Sequence, residues 1–185
     1  MLPVVSIVGR PNVGKSTIFN RLIGSRKAIV DDQYGVTRDR HYGESHWNGR
    51  EFTVIDTGGY QPDATDVMIE GIREQVHIAL DESDVVLFIV DTEAGITSLD
   101  TSVANMLRQQ EKPVLLVANK ADNEERALNA TEFYSLGFEE LYPVSAINGT
   151  GTGDLLDRLV ELLPEEEDEP ESEYPKLAVV GRPNV

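Results

Sequence analysis

Gly9-Arg10-Pro11-Asn12-Val13-Gly14-Lys15-Ser16 is the stretch that decides the fold, because it fits the pattern G-x-x-x-x-G-K-[ST]. An apolar run at residues 4–8 precedes it, and apolar side chains recur at helical spacing in residues 16–23 after it. Glycines allow the backbone to wrap closely around phosphate oxygens, which loop N–H groups and the start of a helix can bind. The stretch therefore predicts a phosphate-binding loop between a strand and a helix.

Single side chains of this loop have expected roles. Lys15 is expected to reach the β- and γ-phosphates of a nucleotide, and the Ser16 hydroxyl to ligate Mg²⁺. The amide oxygen of Asn12 either helps to hold a monovalent cation such as K⁺ or only hydrogen-bonds the backbone. Arg10 is either an arginine finger in cis or, by default, a solvated arginine. The predicted nucleotide contacts in this part of the chain are Gly9, Arg10, Pro11, Asn12, Val13, Gly14, Lys15, Ser16 and Thr17.

The rest of the chain alternates apolar strands with helices. Strands are predicted at residues 4–8, 41–46, 50–55, 85–90, 113–118 and 141–144, and helices at residues 16–23, 65–80, 99–110, 124–135 and 153–163. Asn48-Gly49 favours a tight hairpin turn. Because two of the strands are fully apolar, both of their faces are expected to be covered. This pattern predicts an α/β fold of the P-loop NTPase type, with a mostly parallel six-stranded sheet, one antiparallel edge strand and helices on both faces.

A second motif, Asp56-Thr57-Gly58-Gly59, follows the strand at residues 50–55. Asp56 is expected to hold the Mg²⁺ shell, directly or through water, and the Gly59 N–H to donate to the γ-phosphate. Thr37 lies in the polar connection before the hairpin, where its hydroxyl could complete the Mg²⁺ coordination only while the γ-phosphate is present. The alternatives are a simple Asp-capped turn and an ordinary surface threonine.

A third motif, Asn119-Lys120-Ala121-Asp122, predicts how the site reads a base. The Asp122 carboxylate can accept two hydrogen bonds from guanine N1–H and N2–H₂, a pair of donors that adenine lacks. The stem of Lys120 can lie over the base plane, and Asn119 can tie this loop to the phosphate loop. In Ser145-Ala146, the Ala146 N–H can bind guanine O6. Together these residues predict GTP and GDP as ligands.

Tyr60 stands directly after the second motif, where many nucleotide switches carry a glutamine that orients the attacking water. Because tyrosine has no amide, hydrolysis would depend on backbone groups, a cation or a partner, and a slow intrinsic rate is expected. The residues predicted to act in catalysis are Lys15, Thr37, Gly59 and Asn12. The predicted metal ligands are Ser16, Thr37 and Asp56 for Mg²⁺ and Asn12 for K⁺.

The composition is acidic and contains no cysteine. With 33 Asp and Glu against 16 Lys and Arg, the formal net charge is -17, so direct binding to a nucleic-acid backbone is not expected. No stretch of the sequence is long and apolar enough to predict a membrane span. The absence of cysteine fits a reducing compartment, so a cytoplasmic location is predicted.

The end of the chain repeats its beginning. Residues 165–173 hold seven acidic side chains and no basic one, which predicts a solvated linker, with an interaction tail as the alternative. The final Val180-Gly181-Arg182-Pro183-Asn184-Val185 is identical to residues 8–13. We therefore expect a nucleotide-binding domain at residues 1–164, an acidic linker at residues 165–174, and the truncated start of a second, similar domain at residues 175–185.

The phosphate loop, Thr37, Asp56-Thr57-Gly58-Gly59, Asn119-Lys120-Ala121-Asp122 and Ser145-Ala146 resemble the five G motifs of translation-factor-related GTPases, which have a Ras-like G domain. The Pro-Asn-Val form of the loop resembles the Era-like branch. The second Gly-Arg-Pro-Asn-Val after an acidic linker resembles the EngA (Der) family of bacterial tandem GTPases. This resemblance implies GTP or GDP with Mg²⁺, stimulation by K⁺ through Asn12, and assembly of the large ribosomal subunit by a full-length protein with further domains.

Three other functions stay open at this point. A single-domain Era-like or tRNA-modification GTPase would share the motifs but not the repeat at Gly181. A regulatory module that senses GTP and GDP with negligible turnover is consistent with Tyr60. An ATPase would require a site in which Asp122 does not select the base.

Overall fold

The computed structural model describes residues 2–24, 28–29, 41–58 and 65–165. Thr37, Gly59 and Tyr60 lie outside the described residues, as do the predicted linker beyond Glu165 and the predicted start of a second domain. Among the helices of the described part, none has the length and apolarity that crossing a lipid bilayer requires.

Strands and helices alternate along the chain as the sequence predicts. The strands are β1 (Val4–Val8), β2 (Ala28–Ile29), β3 (His41–Trp47), β4 (Arg50–Asp56), β5 (Val85–Asp91), β6 (Val114–Asn119) and β7 (Leu141–Pro143). The helices are α1 (Lys15–Ile23), α2 (Thr65–Glu82), α3 (Ser98–Leu107), α4 (Glu124–Asn129), a 3-10 helix (Ala130–Leu136) and α5 (Thr152–Leu162).

One sheet contains all seven strands, in the order β2-β3-β4-β1-β5-β6-β7. β4, β1, β5, β6 and β7 run parallel to their neighbours in this series, and β3 runs antiparallel to both β2 and β4. The predicted α/β architecture with one antiparallel strand is therefore confirmed. The two-residue strand β2, which the sequence does not predict, pairs beyond β3 and takes the outermost position.

The central strand β5 shows why the sheet is covered on both sides. All seven of its residues are buried. Val85, Leu87 and Ile89 pack into the cluster that contains apolar residues of α1 and α5. Val86, Phe88 and Val90 pack into the cluster that contains residues of α2, α3 and the 3-10 helix. Each such fully buried side chain contributes about 1.5–3 kcal/mol to folding, so this strand anchors both layers of helices.

The hairpin between β3 and β4 turns at Asn48 and Gly49, whose φ angles are 47° and 81°. Positive φ at two successive central residues is the backbone of a type I′ turn, which Asn-Gly favours. At the tip, Trp47 Nε1 and Asn48 Nδ2 donate to Asp157 Oδ1 of α5 at 2.7 and 2.8 Å. The hairpin end that lies away from the strand carboxyl ends is therefore fixed to α5.

The predicted single helix at residues 124–135 is two elements in the structure. α4 begins at an Asn123 cap, whose side chain accepts the Arg126 N–H, and the chain tightens into the 3-10 helix at Ala130. Ala130, Phe133 and Leu136 are all buried. A helix with three residues per turn places such a spacing on one face, so burial of these side chains favours the tighter helix.

Candidate functional site

The carboxyl ends of five parallel strands bring the predicted motifs to one edge of the sheet. β1 leads into the loop of residues 9–14, and β4 ends at Asp56. β5 ends at Asp91 and β6 at Asn119, which are register partners in the sheet. Because ligands of open α/β sheets bind beyond these strand ends, this edge is the candidate site.

The backbone of the phosphate loop depends on positions that disfavour a side chain. Gly9 and Gly14 have φ angles of 151° and 94°, and Asn12 lies at 67°. A Cβ atom on Gly9 would lie 2.4 Å from the carbonyl oxygen of Ile89. Gly14 is also the N-cap of α1 and provides no side-chain hydrogen bond to the first turn. The N–H groups that begin α1 therefore have no side-chain cap, which is the arrangement that binds anions.

Lys15 is the buried cation of the loop. Its Nζ donates to the carbonyl oxygens of Gly9 and Arg10, both at 2.9 Å, and the residue is 8% exposed. Burial lowers the pKa of Lys15 from 10.5 to about 8, although the nearby Asp56 carboxylate acts in the opposite direction. The ammonium group is thus held inside the loop where a phosphate anion would favour its charged form.

Ser16 and Asp56 form the candidate metal position. The Ser16 hydroxyl donates to Asp56 Oδ2 at 2.8 Å, and the Gly58 N–H donates to Oδ1 at 3.0 Å. Asp56 is completely buried, and Thr57 beside it donates its hydroxyl to the Ile7 carbonyl oxygen. One hydroxyl and one carboxylate are hard oxygen ligands that suit Mg²⁺ when phosphate and water oxygens fill the other positions. Within the described residues, no group of three or more His, Cys, Asp or Glu side chains is placed to hold a metal ion.

Asn119 joins the phosphate loop to the base-reading loops, as the sequence predicts. Its Nδ2 donates to the Val13 carbonyl oxygen at 2.9 Å, and its Oδ1 accepts the Ala146 N–H at 3.1 Å. The Ala146 N–H therefore has a protein partner in this structure. Its predicted bond to guanine O6 stays a prediction, and it requires this N–H to be shared or exchanged.

The Asp122 carboxylate is oriented from two sides. Ser145, which is completely buried, donates its hydroxyl to Oδ1 at 2.5 Å. Arg126, one turn further along, donates to Oδ2 at 3.3 Å and also pairs with Glu93 at 2.8 Å. The Asp122 side chain is 33% exposed, so it is accessible to a ligand. Apart from the i,i+4 spacing, no local sequence pattern predicts the contact between Arg126 and Asp122.

Lys120 has the left-handed backbone conformation, with φ of 66°. Its Nζ pairs with Asp91 Oδ2 at 2.6 Å and with Glu93 at 3.5 Å. The ends of β5 and β6 are thereby bridged by an ion pair, which holds the long Lys120 stem across this edge of the sheet.

Arg10 is not a solvated arginine, contrary to the default expectation. Its Nε donates to Asp100 Oδ2 at 3.2 Å, and the two side chains are 12% and 0% exposed. The same Asp100 oxygen caps the N-terminus of α3 by accepting the Thr97 N–H. The guanidinium is drawn toward this buried carboxylate, so the phosphate loop is fixed to α3. The role of Arg10 as an arginine finger stays a prediction.

For the other residues of the loop, nucleotide contact stays a prediction. Val13 is buried, Pro11 is partly exposed, and Asn12 and Thr17 are exposed. A residue that the sequence analysis missed is Arg21 of α1, which donates from Nε to the Ala146 carbonyl oxygen at 2.8 Å. No motif marks it, because its partner is 125 residues away along the chain.

Comparison with known proteins agrees with this geometry. Residues 4–120 match the model of a family described as 50S ribosome-binding GTPase. The chain is 61% identical over 182 residues to GTPase Der of Christiangramia forsetii, and the match covers 98% of this chain and 42% of that protein. The chain thus spans less than half of the length of this curated relative.

Solved structures of Era have the same fold. A crystal structure of Era in complex with MgGDPNP and nucleotides 1506–1542 of 16S ribosomal RNA is 33% identical, with a TM-score of 0.72 over 94% of this chain and 62% of that chain. Aquifex aeolicus Era bound to GDP.AlF4- is 31% identical, with a TM-score of 0.71 over 96% and 62% of the two chains.

These matches confirm the resemblance to the EngA (Der) family that the tandem loop sequence indicated. The family model covers the phosphate loop, the Asp56 motif and Asn119 with Lys120, and it extends over more than half of the chain. The chain belongs to the family of 50S ribosome-binding GTPases.

Proposed function

We propose that this chain binds GTP and GDP and hydrolyses GTP as a molecular switch. The observation that carries the proposal is the link through Asn119, which hydrogen-bonds the Val13 carbonyl oxygen on one side and the Ala146 N–H on the other. An anion-binding loop and a base-reading carboxylate, Asp122, are thereby held at one edge of the sheet. A nucleotide has both a phosphate end and a base, so one molecule can engage both.

Guanine is the base that fits this edge. Asp122, oriented by Ser145 and Arg126, offers two carboxylate oxygens to the N1–H and N2–H₂ donors of guanine. Adenine presents no such pair of donors and would leave the carboxylate without partners, which selects against ATP. The stem of Lys120 lies over the base plane in this proposal, and the Ala146 N–H adds a bond to O6.

Mg²⁺ fits the oxygen ligands at the phosphate end. Ser16 and Asp56 would hold it, and Thr37 would join them in the GTP state; the ion would neutralise charge on the β- and γ-phosphates. Lys15 binds the same phosphates, and the Gly59 N–H donates to the γ-phosphate. In this proposal the amide oxygen of Asn12 would help to hold K⁺, and the ion would stimulate hydrolysis. The Era relative that carries MgGDPNP supports the metal assignment.

The full-length protein is proposed to act in assembly of the large ribosomal subunit. This follows from membership in the 50S ribosome-binding family and from similarity to GTPase Der. In this proposal residues 1–164 are the first G domain, residues 165–174 are an acidic linker, and residues 175–185 begin a second G domain. The partners are the other domains of that protein and the ribosomal subunit, and the location is the cytoplasm.

A second candidate function is a module that senses GTP and GDP without appreciable turnover. The observation that favours it is Tyr60, which stands where many switches use a glutamine to orient water. In such a module the two nucleotides would set contacts with neighbouring domains, and hydrolysis would be incidental.

Single-turnover phosphate release separates these functions. The chain is mixed with GTP and Mg²⁺ in KCl or in NaCl, and Lys15→Ala and Asn12→Ala are measured in parallel. We expect release by the wild type to exceed that by Lys15→Ala, and to be faster in KCl, with Asn12→Ala losing the difference between salts. Wild-type release equal to that of Lys15→Ala, with GTP still bound, would establish the sensing module instead.

A further inference from the structure

Arg21 connects the first helix of the fold to the loop that follows β7. Its Nε donates to the Ala146 carbonyl oxygen at 2.8 Å, and its Nη2 donates to the carbonyl oxygen of Ile147. The two acceptors belong to the successive peptide groups that come directly after the Ala146 N–H. One planar guanidinium therefore holds two neighbouring peptide groups through two different nitrogens in a fixed geometry.

The loop that accepts the Arg21 bonds also has internal hydrogen bonds, and its Ala146 N–H donates to Asn119 Oδ1 at 3.1 Å. The Gly149 N–H donates to the Ser145 carbonyl oxygen at 2.7 Å, and the Asn148 N–H donates to Ser145 Oγ at 3.1 Å. Gly149 has a φ of 85°, and a Cβ there would lie 3.3 Å from Arg21 Nη1. Ser145 therefore holds the loop from within through the N–H groups of Asn148 and Gly149, and Arg21 holds it from α1 through the carbonyl oxygens of Ala146 and Ile147.

Arg21 lies on α1, the helix that begins at the phosphate loop. α1 begins at Lys15 and Ser16, the residues of the phosphate end. Arg21 lies six residues after Lys15 on the same helix, about 9 Å further along its axis. One rigid element therefore contacts both the phosphate loop and the loop that carries Ala146, and it sets the distance between them.

We propose that Arg21 is a positioning residue for guanine selection, which holds the Ala146 peptide so that its N–H, the donor to Asn119 Oδ1, is shared with the O6 atom of the base. This inference rests on the proposed function. Arg21 touches neither the base nor the phosphates in this proposal; it acts by fixing the orientation of the loop backbone. Asp122 reads the N1–H and N2–H₂ edge through a carboxylate that is held by Ser145 Oγ and Arg126, neither of which receives a hydrogen bond from Arg21.

The test compares nucleotides that differ at single positions of the base. Dissociation constants of GDP, 6-thio-GDP, IDP and ADP are measured in Mg²⁺ for the full 185-residue chain and for Arg21→Ala. The sulfur of 6-thio-GDP is a poor acceptor in place of O6, and IDP lacks the 2-amino group but keeps O6. We expect Arg21→Ala to weaken GDP binding about tenfold, the effect of losing one hydrogen bond between the uncharged Ala146 N–H and O6.

The same variant is expected to lose most of the preference for GDP over 6-thio-GDP while it keeps the preference for GDP over IDP. Arg21→Lys retains the positive charge but not the planar guanidinium. Its preference for GDP over 6-thio-GDP should lie between those of the wild type and Arg21→Ala. The control is Arg158→Ala on α5, since Arg158 pairs with Glu140 and Glu161 and should leave all four constants unchanged.

Equal weakening of GDP and 6-thio-GDP by Arg21→Ala would overturn the inference, because Arg21 would then only stabilise the loop. Thermal unfolding shows whether the alanine variant is folded; if it is not, the same ratios measured on Arg21→Lys decide. A wild-type chain that does not prefer GDP over ADP would contradict the proposed function itself.

Discussion

The side-chain nitrogen of Asn119 donates a 2.9 Å hydrogen bond to the carbonyl oxygen of Val13, across 106 residues of the chain. Asn119 is 2% exposed, and its amide oxygen accepts the Ala146 N–H. A buried amide is costly to leave unpaired, so the Asn119 side chain holds the segments of Val13, Asn119 and Ala146 in a fixed arrangement. This link joins separate loops into one candidate site.

Gly14→Ala is expected to break this link. A Cβ on Gly14 would lie 2.3 Å from Asn119 Nδ2, and the residue has a φ of 94°. The Asn119 amide would have to leave Val13, so the free energy of unfolding should fall by more than the ~1–2 kcal/mol that a left-handed alanine costs. Urea denaturation measures the loss of stability, and GDP titration measures the loss of affinity. The free energy of GDP binding should weaken by at least as much as the free energy of unfolding.

Gly49→Ala is the matched control for that substitution. Its φ is 81°, but a Cβ there would meet nothing within 4 Å. It should therefore show only the backbone cost, about 1–2 kcal/mol, and leave GDP affinity unchanged. If both glycine variants lost the same stability and both still bound GDP, the contact between Gly14 and Asn119 would have no role.

The pKa of Lys15 predicts a pH dependence of stability in the nucleotide-free chain. Burial lowers this pKa from 10.5 to about 8, so between these values the unfolded chain binds more protons than the folded chain. Stability therefore rises as the pH increases through this window. The free energy of unfolding of the wild type relative to Lys15→Met should increase from pH 8 to pH 10.5, since other groups titrate equally in both proteins.

Nucleotide binding gives an independent check on the same group. A phosphate beside Lys15 favours the charged amine, so GDP affinity should decline above pH 8 in the wild type, with uptake of a proton on binding. Calorimetry in buffers of different ionisation enthalpy measures that uptake. If the difference in unfolding free energy between wild type and Lys15→Met stayed constant from pH 8 to pH 10.5, the pKa of Lys15 would not be lowered by folding.

Two arginines allow the effect of burial to be separated from the number of hydrogen bonds. Arg10→Ala leaves Asp100 buried without its cation, and should cost about 3–5 kcal/mol. Arg158 makes more hydrogen bonds, with Glu140 and Glu161, but these groups are 36–65% exposed. Arg158→Ala should therefore lower the free energy of unfolding by far less than Arg10→Ala. Urea denaturation of both variants measures the two losses of stability. A larger loss for Arg158→Ala than for Arg10→Ala would contradict the claim that burial outweighs the number of hydrogen bonds.

Much of this fold could be predicted from the sequence because its signals are local. The apolar runs of β1, β5 and β6, the Asn48-Gly49 turn and the motifs at strand ends each depend on neighbouring residues. The direction of Asn119 toward the phosphate loop was also predicted, since parallel strands bring their carboxyl ends to one edge.

Other features depend on contacts between distant segments and leave no local pattern. The pairs Arg10–Asp100 and Lys120–Asp91, and the bonds from Arg21, join residues from separate motifs. β2 is only two residues long and exists because β3 offers it a partner. The 3-10 helix had a visible signal, the apolar spacing of three at Ala130, Phe133 and Leu136, which helical propensity alone conceals.

Base selection by Asp122 is the most direct point at which to test the proposed function. Equilibrium titration with GDP and ADP should give a preference for GDP on the order of thousandfold or more, because a carboxylate that loses its donors is strongly penalised. Asp122→Asn should abolish most of this preference and should instead favour xanthosine diphosphate, whose C2 carbonyl accepts from the new amide. Equal binding of GDP and ADP by the wild type, or an unchanged preference in Asp122→Asn, would contradict the assignment.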